Sequence, residues 1–425
     1  MFTVQQLDRA FMNRPAGLRH AALLAQADAR MAEADGSQRG ALGAYLVARL
    51  MDRMVGLTGA PCEEQGFRWQ SDHTAEYIAT LPADDEDAEH LGRIVEATRA
   101  VPAERLAAAR EALSNYADHL ERSGRFDQAL DVERLVGLTW RQGIPPRDFA
   151  SLALTIGRLN RHLGRAAPAE AAYDAAVAAA GQAGDETAAV RARLGQAAAW
   201  RLSGDVAAAE REVCAVIELA DADPALQSLG GLALAELGAI HAARGRPVPA
   251  VRALLEAVPR FTDVEDRLRT LGELGWTLAL LGEHEAADAA FRLVEAQSGN
   301  PVIRARASLG LMELAAQADD RIGFQRWRLA LVDHFGMLPP LLQVEFRYRE
   351  GAGLARFGRP ARARAAWRDA AVLARMHELP VWSGHIAHAL EQKGVSTPPV
   401  VEPVPSPEVT ALADDLRALV ALARA

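Results

Sequence analysis

The chain has 425 residues and a formal net charge of −9, from 56 acidic and 47 basic side chains, so as a whole it does not look like a nucleic-acid binder, although a local basic face is allowed. Half of its residues are apolar, 24% are charged and only 5% are aromatic, which is ordinary for a folded soluble protein with closely packed, alanine-rich helices. Lys393 is the single lysine, which excludes a GxxxxGK[ST] phosphate loop and the lysine set of a protein kinase.

Residues 1 to 101 read as helices broken by Pro15, Gly36, Pro61 and Pro82, and are expected to form an N-terminal cap or a set of degenerate repeats. Leu42, Tyr45, Leu46, Leu50 and Met54 fall at helical spacing, so that segment needs one buried face. The acidic run Ala83 to Asp87 follows Pro82, as the first turn of a new helix often does.

From residue 102 to 394 a period becomes readable. Gly124, Gly164, Gly204, Gly245, Gly282 and Gly358 lie 40, 40, 41, 37 and 76 residues apart, and the last gap is twice 38. One unit has therefore lost its glycine. Leu309-Gly310 survives there, and Asp320, 38 residues from both neighbouring glycines, is the expected turn residue because aspartate tolerates the left-handed conformation. The second helix of that unit is expected to be shifted, to about Phe324 to Phe335.

Residues 395 to 408 hold Pro398, Pro399, Pro403, Pro405 and Pro407 and read as an extended linker. Residues 409 to 425 form a final amphipathic helix with Leu412, Leu416, Leu419, Val420 and Ala423 on one stripe. Two readings stay open for this helix: a cap on an open end of the array, or a tethered segment occupying its groove or a partner.

The recurring order is a small residue, a glycine seven later, an alanine five further and a large apolar residue four beyond that. Leu274, Gly275, Gly282, Ala287 and Phe291 show it most fully, and Gly157, Gly164, Ala169 and Tyr173 repeat it, as do Gly351, Gly358, Ala363 and Trp367. This pattern resembles the tetratricopeptide repeat, over roughly residues 105 to 380, in units longer than the usual length of about 34 residues. The resemblance implies an all-α, right-handed superhelical solenoid of stacked antiparallel helix pairs, whose first helices line a concave surface that contacts ligand.

Carried onto this chain, the ligand-facing positions are Arg158, Arg161, Arg191, Arg201, Trp276, Arg304, Tyr348 and Arg349. Arginines interleaved with aromatics suit an acidic peptide or a carboxylate terminus, through bidentate hydrogen bonds and stacking. The alternative is that these arginines are solvated or paired with nearby glutamates. The lysine-and-asparagine carboxylate clamp of some family members has no match here.

Catalytic signatures are missing. There is no GxSxG elbow and no GxGxxG turn, and His284-Glu285 lacks the second histidine of HExxH. His385 and His388 share a helix face, but nothing supplies a third metal ligand, so no metal and no cofactor is expected. Cys62 and Cys214 make no disulfide framework, and Cys214 reads as a small core residue. Without an apolar leader or spanning segment, the expected compartment is the cytoplasm and no membrane contact is expected.

The leading expectation is a non-catalytic scaffold that holds a protein or peptide partner in the groove, with no nucleic acid. The second is a regulatory sensor acting through a separate partner, since long-unit arrays resemble the ligand-sensing arms of bacterial transcription regulators. An enzyme with a site near His385 and His388 is the weakest reading.

Overall fold

The structure is a computed structural model and describes residues 1–7, 20–32, 38–58, 60–376, 379–391 and 407–424. The expected linker, apart from its last two residues, lies outside these, as do Lys393, Pro15 and Gly36. Among the described residues the regular structure is helical, apart from one isolated antiparallel bridge between Phe2 and Ile144. The contacts divide the chain into two compact units, Met1–Arg161 with Arg165–Gly195, and His162–Gly164 with Gln196–Ala425.

In the first unit the helices are α1 (Ala21–Ala32), α2 (Gln38–Val55), α3 (Pro61–Ile78), α4 (Ala88–Thr98), α5 (Pro102–Arg122), α6 (Phe126–Leu138), α7 (Pro146–His162) and α8 (Ala166–Ala183). Proline opens α3 and α5, where its missing N–H costs nothing. Before the first turn glycine the helices form a cluster, with α1 against α2, α2 against both α3 and α4, and α1 and α2 reaching α6. Asp131 of α6 accepts the backbone N–H groups of Ala22 and Leu23 at 2.9 and 3.3 Å, satisfying free donors at the start of α1.

Two features of this unit depart from the sequence expectation. The acidic run does not open a helix: residues 83–87 form turns, and α4 begins at Ala88. Asp87 is buried, which opposes its charge, but His119 at 3.4 Å and a two-pronged hydrogen bond from Arg125 at 2.6 and 2.7 Å together hold its carboxyl far below the usual range. The first residues are also part of the core. Phe2 exchanges backbone hydrogen bonds with Ile144 at 2.9 and 2.7 Å and stacks on Phe149 at 4.3 Å.

The second unit continues with α9 (Glu186–Ser203, whose last turns belong here), α10 (Val206–Ala222), α11 (Gln227–Ala243), α12 (Pro247–Ala257), α13 (Val264–Leu280) and α14 (His284–Gln297). It ends with α15 (Pro301–Gln317), α16 (Arg321–Val332), α17 (Pro340–Arg356), α18 (Pro360–Met376), α19 (Pro380–Glu391) and α20 (Pro407–Arg424). The first helices α13, α15 and α17 touch in succession, so first and second helices form separate layers.

The six periodic glycines all have positive φ, from 67° to 97°. After Gly124, Gly164, Gly245, Gly282 and Gly358 the next N–H reaches back to a carbonyl five residues earlier, as in Arg125 to Leu120 at 2.8 Å and Glu283 to Leu278 at 3.0 Å, closing the helix end. The sixth unit makes the same closure with a shift of one residue from the expectation. Asp319, not Asp320, is left-handed, with φ 55°, and Asp320 bonds back to Ala315 at 2.9 Å. Asp320 instead caps α16, accepting from Ile322 and Gly323 at 3.1 and 2.9 Å. The helix therefore starts at Arg321, straight after the turn, and is not displaced.

The small first-helix residues seat aromatic knobs. Atoms added at Cβ of Gly275 and Gly310 would lie 2.8 and 2.5 Å from the Phe291 ring, and in the first unit Gly157 and Gly195 flank Tyr173 in the same way. One ring thus fills the space left by glycines from two consecutive first helices. Cys214 does not join the core; it is exposed on α10 while Val213 and Val216 face inward.

The C-terminal helix α20 is neither an end cap nor a groove ligand. It lies against the second helices α12 and α14 and buries Ala413, Leu416 and Val420 in the core of this unit. Arg252 bonds to Glu408, and Arg417 lies 3.8 Å from Glu283.

Candidate functional site

The first-helix layer carries the expected site residues, and its chemistry is set by glutamates that recur in register with them. Glu236, Glu273 and Arg349 each stand nine residues before a turn glycine, Arg306 and Glu345 thirteen before their turn residue, and Trp276 and Glu313 six before theirs. Offsets of thirteen, nine and six differ by four and three, so these positions share one face of each first helix, and charges on that face meet across consecutive first helices.

In the second unit Arg201 of α9 pairs with Glu236 of α11 at 2.5 and 3.3 Å. Burial opposes its charge, but Glu236 and Glu273 outweigh that and hold the guanidinium above its ordinary range. Glu273 of α13 pairs with Arg306 of α15 at 3.1 Å and raises its pKa in turn, against the effect of burial. Arg349 of α17 bonds to Glu313 of α15 and reaches Glu345 on its own helix at 2.9 Å. Burial and the nearby Arg306 pull Arg349 down to about 9, so it stays charged at neutral pH. Burial pushes Glu345 up, with Arg306 opposing and Glu273 adding to the shift.

Trp276 forms the apolar centre of the stripe. Its ring meets Phe291 edge-on at 5.3 Å and carries the Arg349 guanidinium at 4.3 Å. Two buried N–H donors of this cluster, Trp276 Nε1 and Arg306 Nε, have no acceptor among the described residues. Such groups are costly to leave unpaired, so an acceptor brought by a ligand would gain from both.

In the first unit Arg158 of α7 is held by Glu121 of α5 at 2.5 and 2.7 Å. Burial works against its charge and Glu121 reverses the shift, raising the pKa. Beside this pair Glu133 of α6 is buried, and desolvation together with the Asp118 charge pushes it up to about 8.

The structure thus sorts the sequence-derived residues. Arg201, Trp276 and Arg349 come together in one unit with their glutamates. Arg158 is paired within the other unit. Half-buried Arg161 and exposed Arg191 and Arg304 have no carboxylate partner among the described residues. Tyr348 belongs elsewhere: it meets Trp382 edge-on at 5.6 Å and packs in a separate apolar cluster with Trp367 and Leu379. Arg306, two residues beyond Arg304, and the four glutamates escaped the sequence reading. Their offsets of thirteen, nine and six residues before the turn residue, which fall on one helix face, were the available signal.

Among the described residues there is no group of three or more histidine, cysteine, aspartate or glutamate side chains placed to hold a metal ion. No helix among them is long and apolar enough to cross a membrane.

No protein-family model and no curated protein matches the sequence. The fold is similar to the crystal structure of NprR in complex with its cognate peptide NprX, with TM-score 0.53 and 13% identity, covering 78% of this chain and 98% of that one. The apo form of the quorum sensor NprR from B. thuringiensis gives TM-score 0.48 at 12% identity, over 77% of this chain and 97% of that one. A Rap protein complexed with Competence and Sporulation Factor gives 0.43 at 12%, over 89% and 99%. The chain has the all-α, tetratricopeptide-like fold of stacked antiparallel helix pairs that the glycine spacing predicts.

Proposed function

We propose that this chain is a non-enzymatic binding protein whose first-helix layer, between Arg201 and Arg349, takes an extended peptide segment of a partner. The observation that carries this reading is the pair of acceptor-less donors, Trp276 Nε1 and Arg306 Nε, in a stripe whose other charges are largely paired. An extended peptide offers a carbonyl about every 3.3 Å and can serve both donors. The arginines Arg201, Arg306 and Arg349 face four glutamates, so the acidic partner expected from sequence narrows to a segment that brings one carboxylate or carbonyl acceptor to this point. We place this activity in the cytoplasm.

The sensor reading is a second form of the same proposal, supported by the fold shared with NprR, which was solved with its cognate peptide. In a sensor the bound peptide changes affinity for a separate protein; in a scaffold it does not.

Screening a random heptapeptide library against the full chain, with tryptophan fluorescence as readout, tests the site. Binding that Trp276→Phe and Arg306→Gln each weaken about tenfold supports it, one lost hydrogen bond being worth roughly 1.4 kcal/mol. Peptide binding untouched by both changes, in variants that melt like the parent, refutes the placement.

A further inference from the structure

The second-helix layer of the second unit reverses its charge along the chain. Helix α10 carries four acids and one arginine, and α14 three acids and one arginine, whereas α16 carries three arginines and no acid, and α18 four arginines and one aspartate. A basic end on a chain of net charge −9 is a local field opposite in sign to the whole.

These cations are also uncommitted. Arg362, Arg364, Arg368 and Arg375 of α18 are exposed, and none has a carboxylate partner among the described residues; the same holds for Arg359 in the preceding turn. Arg321 and Arg326 of α16 are likewise exposed and without a carboxylate. The two helices join into one patch at their starts, where the Arg321 guanidinium lies 5.7 Å from the Phe357 ring, two residues before Arg359. In contrast, Arg201, Arg306 and Arg349 on the first-helix layer are all held by glutamates.

The pattern within the patch points to the kind of partner. Arg364, Arg368, Val372 and Arg375 follow at intervals of four, four and three, on one outward stripe about 16 Å long. Exposed apolar side chains are interleaved with the arginines: Val372 and Met376 on α18, and Ile322 and Leu329 on α16, with Ile322 at 84% and Met376 at 66% exposure. Phosphate backbones are met by cations and polar groups and have no use for such apolar neighbours. Arginine and methionine mixed with aliphatic side chains is the composition of a protein interface.

We propose that the outward face of α16 and α18 docks an acidic, partly apolar segment of another protein, with carboxylates on Arg364, Arg368 and Arg321 and apolar side chains on Ile322 and Met376. This surface lies on the opposite helix layer from the peptide stripe, so the two sites share no contact residue.

The test uses the full chain at physiological salt. Its probes are a synthetic peptide rich in Glu, Asp and Leu, the same peptide with Gln and Asn for the acids, duplex DNA, and phosphatidylglycerol vesicles. The proposal expects the acidic peptide to bind best, Arg364→Glu with Arg368→Glu to weaken it about tenfold or more, and Ile322→Ser with Met376→Ser to weaken it severalfold. Trp276→Phe should leave this binding unchanged. Every substituted side chain on α16 and α18 is exposed, so the variants keep the fold, which thermal unfolding verifies. Tighter binding of DNA or vesicles, acidic-peptide binding unaffected by the charge reversal, or no binding by any probe would overturn it. So would self-association, seen by sedimentation, that the reversal abolishes.

Discussion

Arg349 of α17 lies 4.3 Å from the ring centroid of Trp276 of α13, joining two first helices between which α15 intervenes in the chain. The guanidinium is thus held by stacking and by Glu313 and Glu345 together. Replacing it by methionine keeps the apolar stem but strands two carboxylates. Arg349→Met is expected to cost about 2–4 kcal/mol, read as a lowered denaturant midpoint. Trp276→Phe keeps a ring face but removes the unpaired N–H together with part of the indole, so it should cost about 1–2 kcal/mol, less than Arg349→Met.

Asp319 stands where the other units have glycine. At φ 55° an aspartate is strained, and its ion pair with Arg356 at 3.3 Å is too exposed to offset much. Asp319→Gly should therefore stabilise the chain by roughly 0.5–1 kcal/mol, and Gly282→Ala and Gly358→Ala should each destabilise it by about 1–2 kcal/mol. Thermal unfolding of the three variants gives the signs; a destabilising Asp319→Gly would show that the aspartate side chain matters more than the backbone.

Gly310 packs against the far side of the Phe291 ring from Gly275. An added methyl would fall 2.5 Å from a ring carbon, so Gly310→Ala should cost about 1–3 kcal/mol by overpacking. Phe291→Leu alone should also destabilise. Combined, the two should cost less than their sum, because the smaller side chain makes room for the methyl; strict additivity in a double-mutant cycle would rule out this contact as the cause.

Glu133 gives the first unit a pH dependence of definite sign. Its folded pKa, about 8, lies above the ordinary value of 4.5, so the folded chain holds a proton that the unfolded chain releases. Stability is then fully present below pH of about 4.5 and declines as pH rises toward 8. Glu133→Gln, which stays neutral, should flatten that decline and be stabilising at pH 8 relative to pH 5. Urea unfolding midpoints across this range measure it, and a slope unchanged by the substitution would assign the dependence to another group.

Much of the repeat was legible because its determinants are local. The positive-φ glycines, the small residues seven positions before them and the aromatic knobs of Tyr173 and Phe291 act within one helical hairpin and its neighbour. The turn of the sixth unit was misplaced by one residue because Asp319 and Asp320 are chemically alike. Only the backbone distinguishes the left-handed residue from the cap that follows it. Cys214 was misread because Val213, Ala215, Val216 and Ile217 adjoin it in sequence, although Glu210, Arg211 and Glu218, one helical turn away, mark its face of α10 as exposed.

By itself the sequence determined where helices start and stop and how each hairpin closes, since these depend on backbone conformations that glycine, proline and capping side chains select over a few residues. Tertiary structure decided which charges meet. Arg201 finds Glu236 and Arg349 finds Glu313 across 35 and 36 residues, and only the packed register of consecutive first helices brings those stripes face to face. It also decided that α20 lies on the second-helix layer and that Phe2 is a core residue, because an apolar face specifies that it must be buried and not against which neighbour.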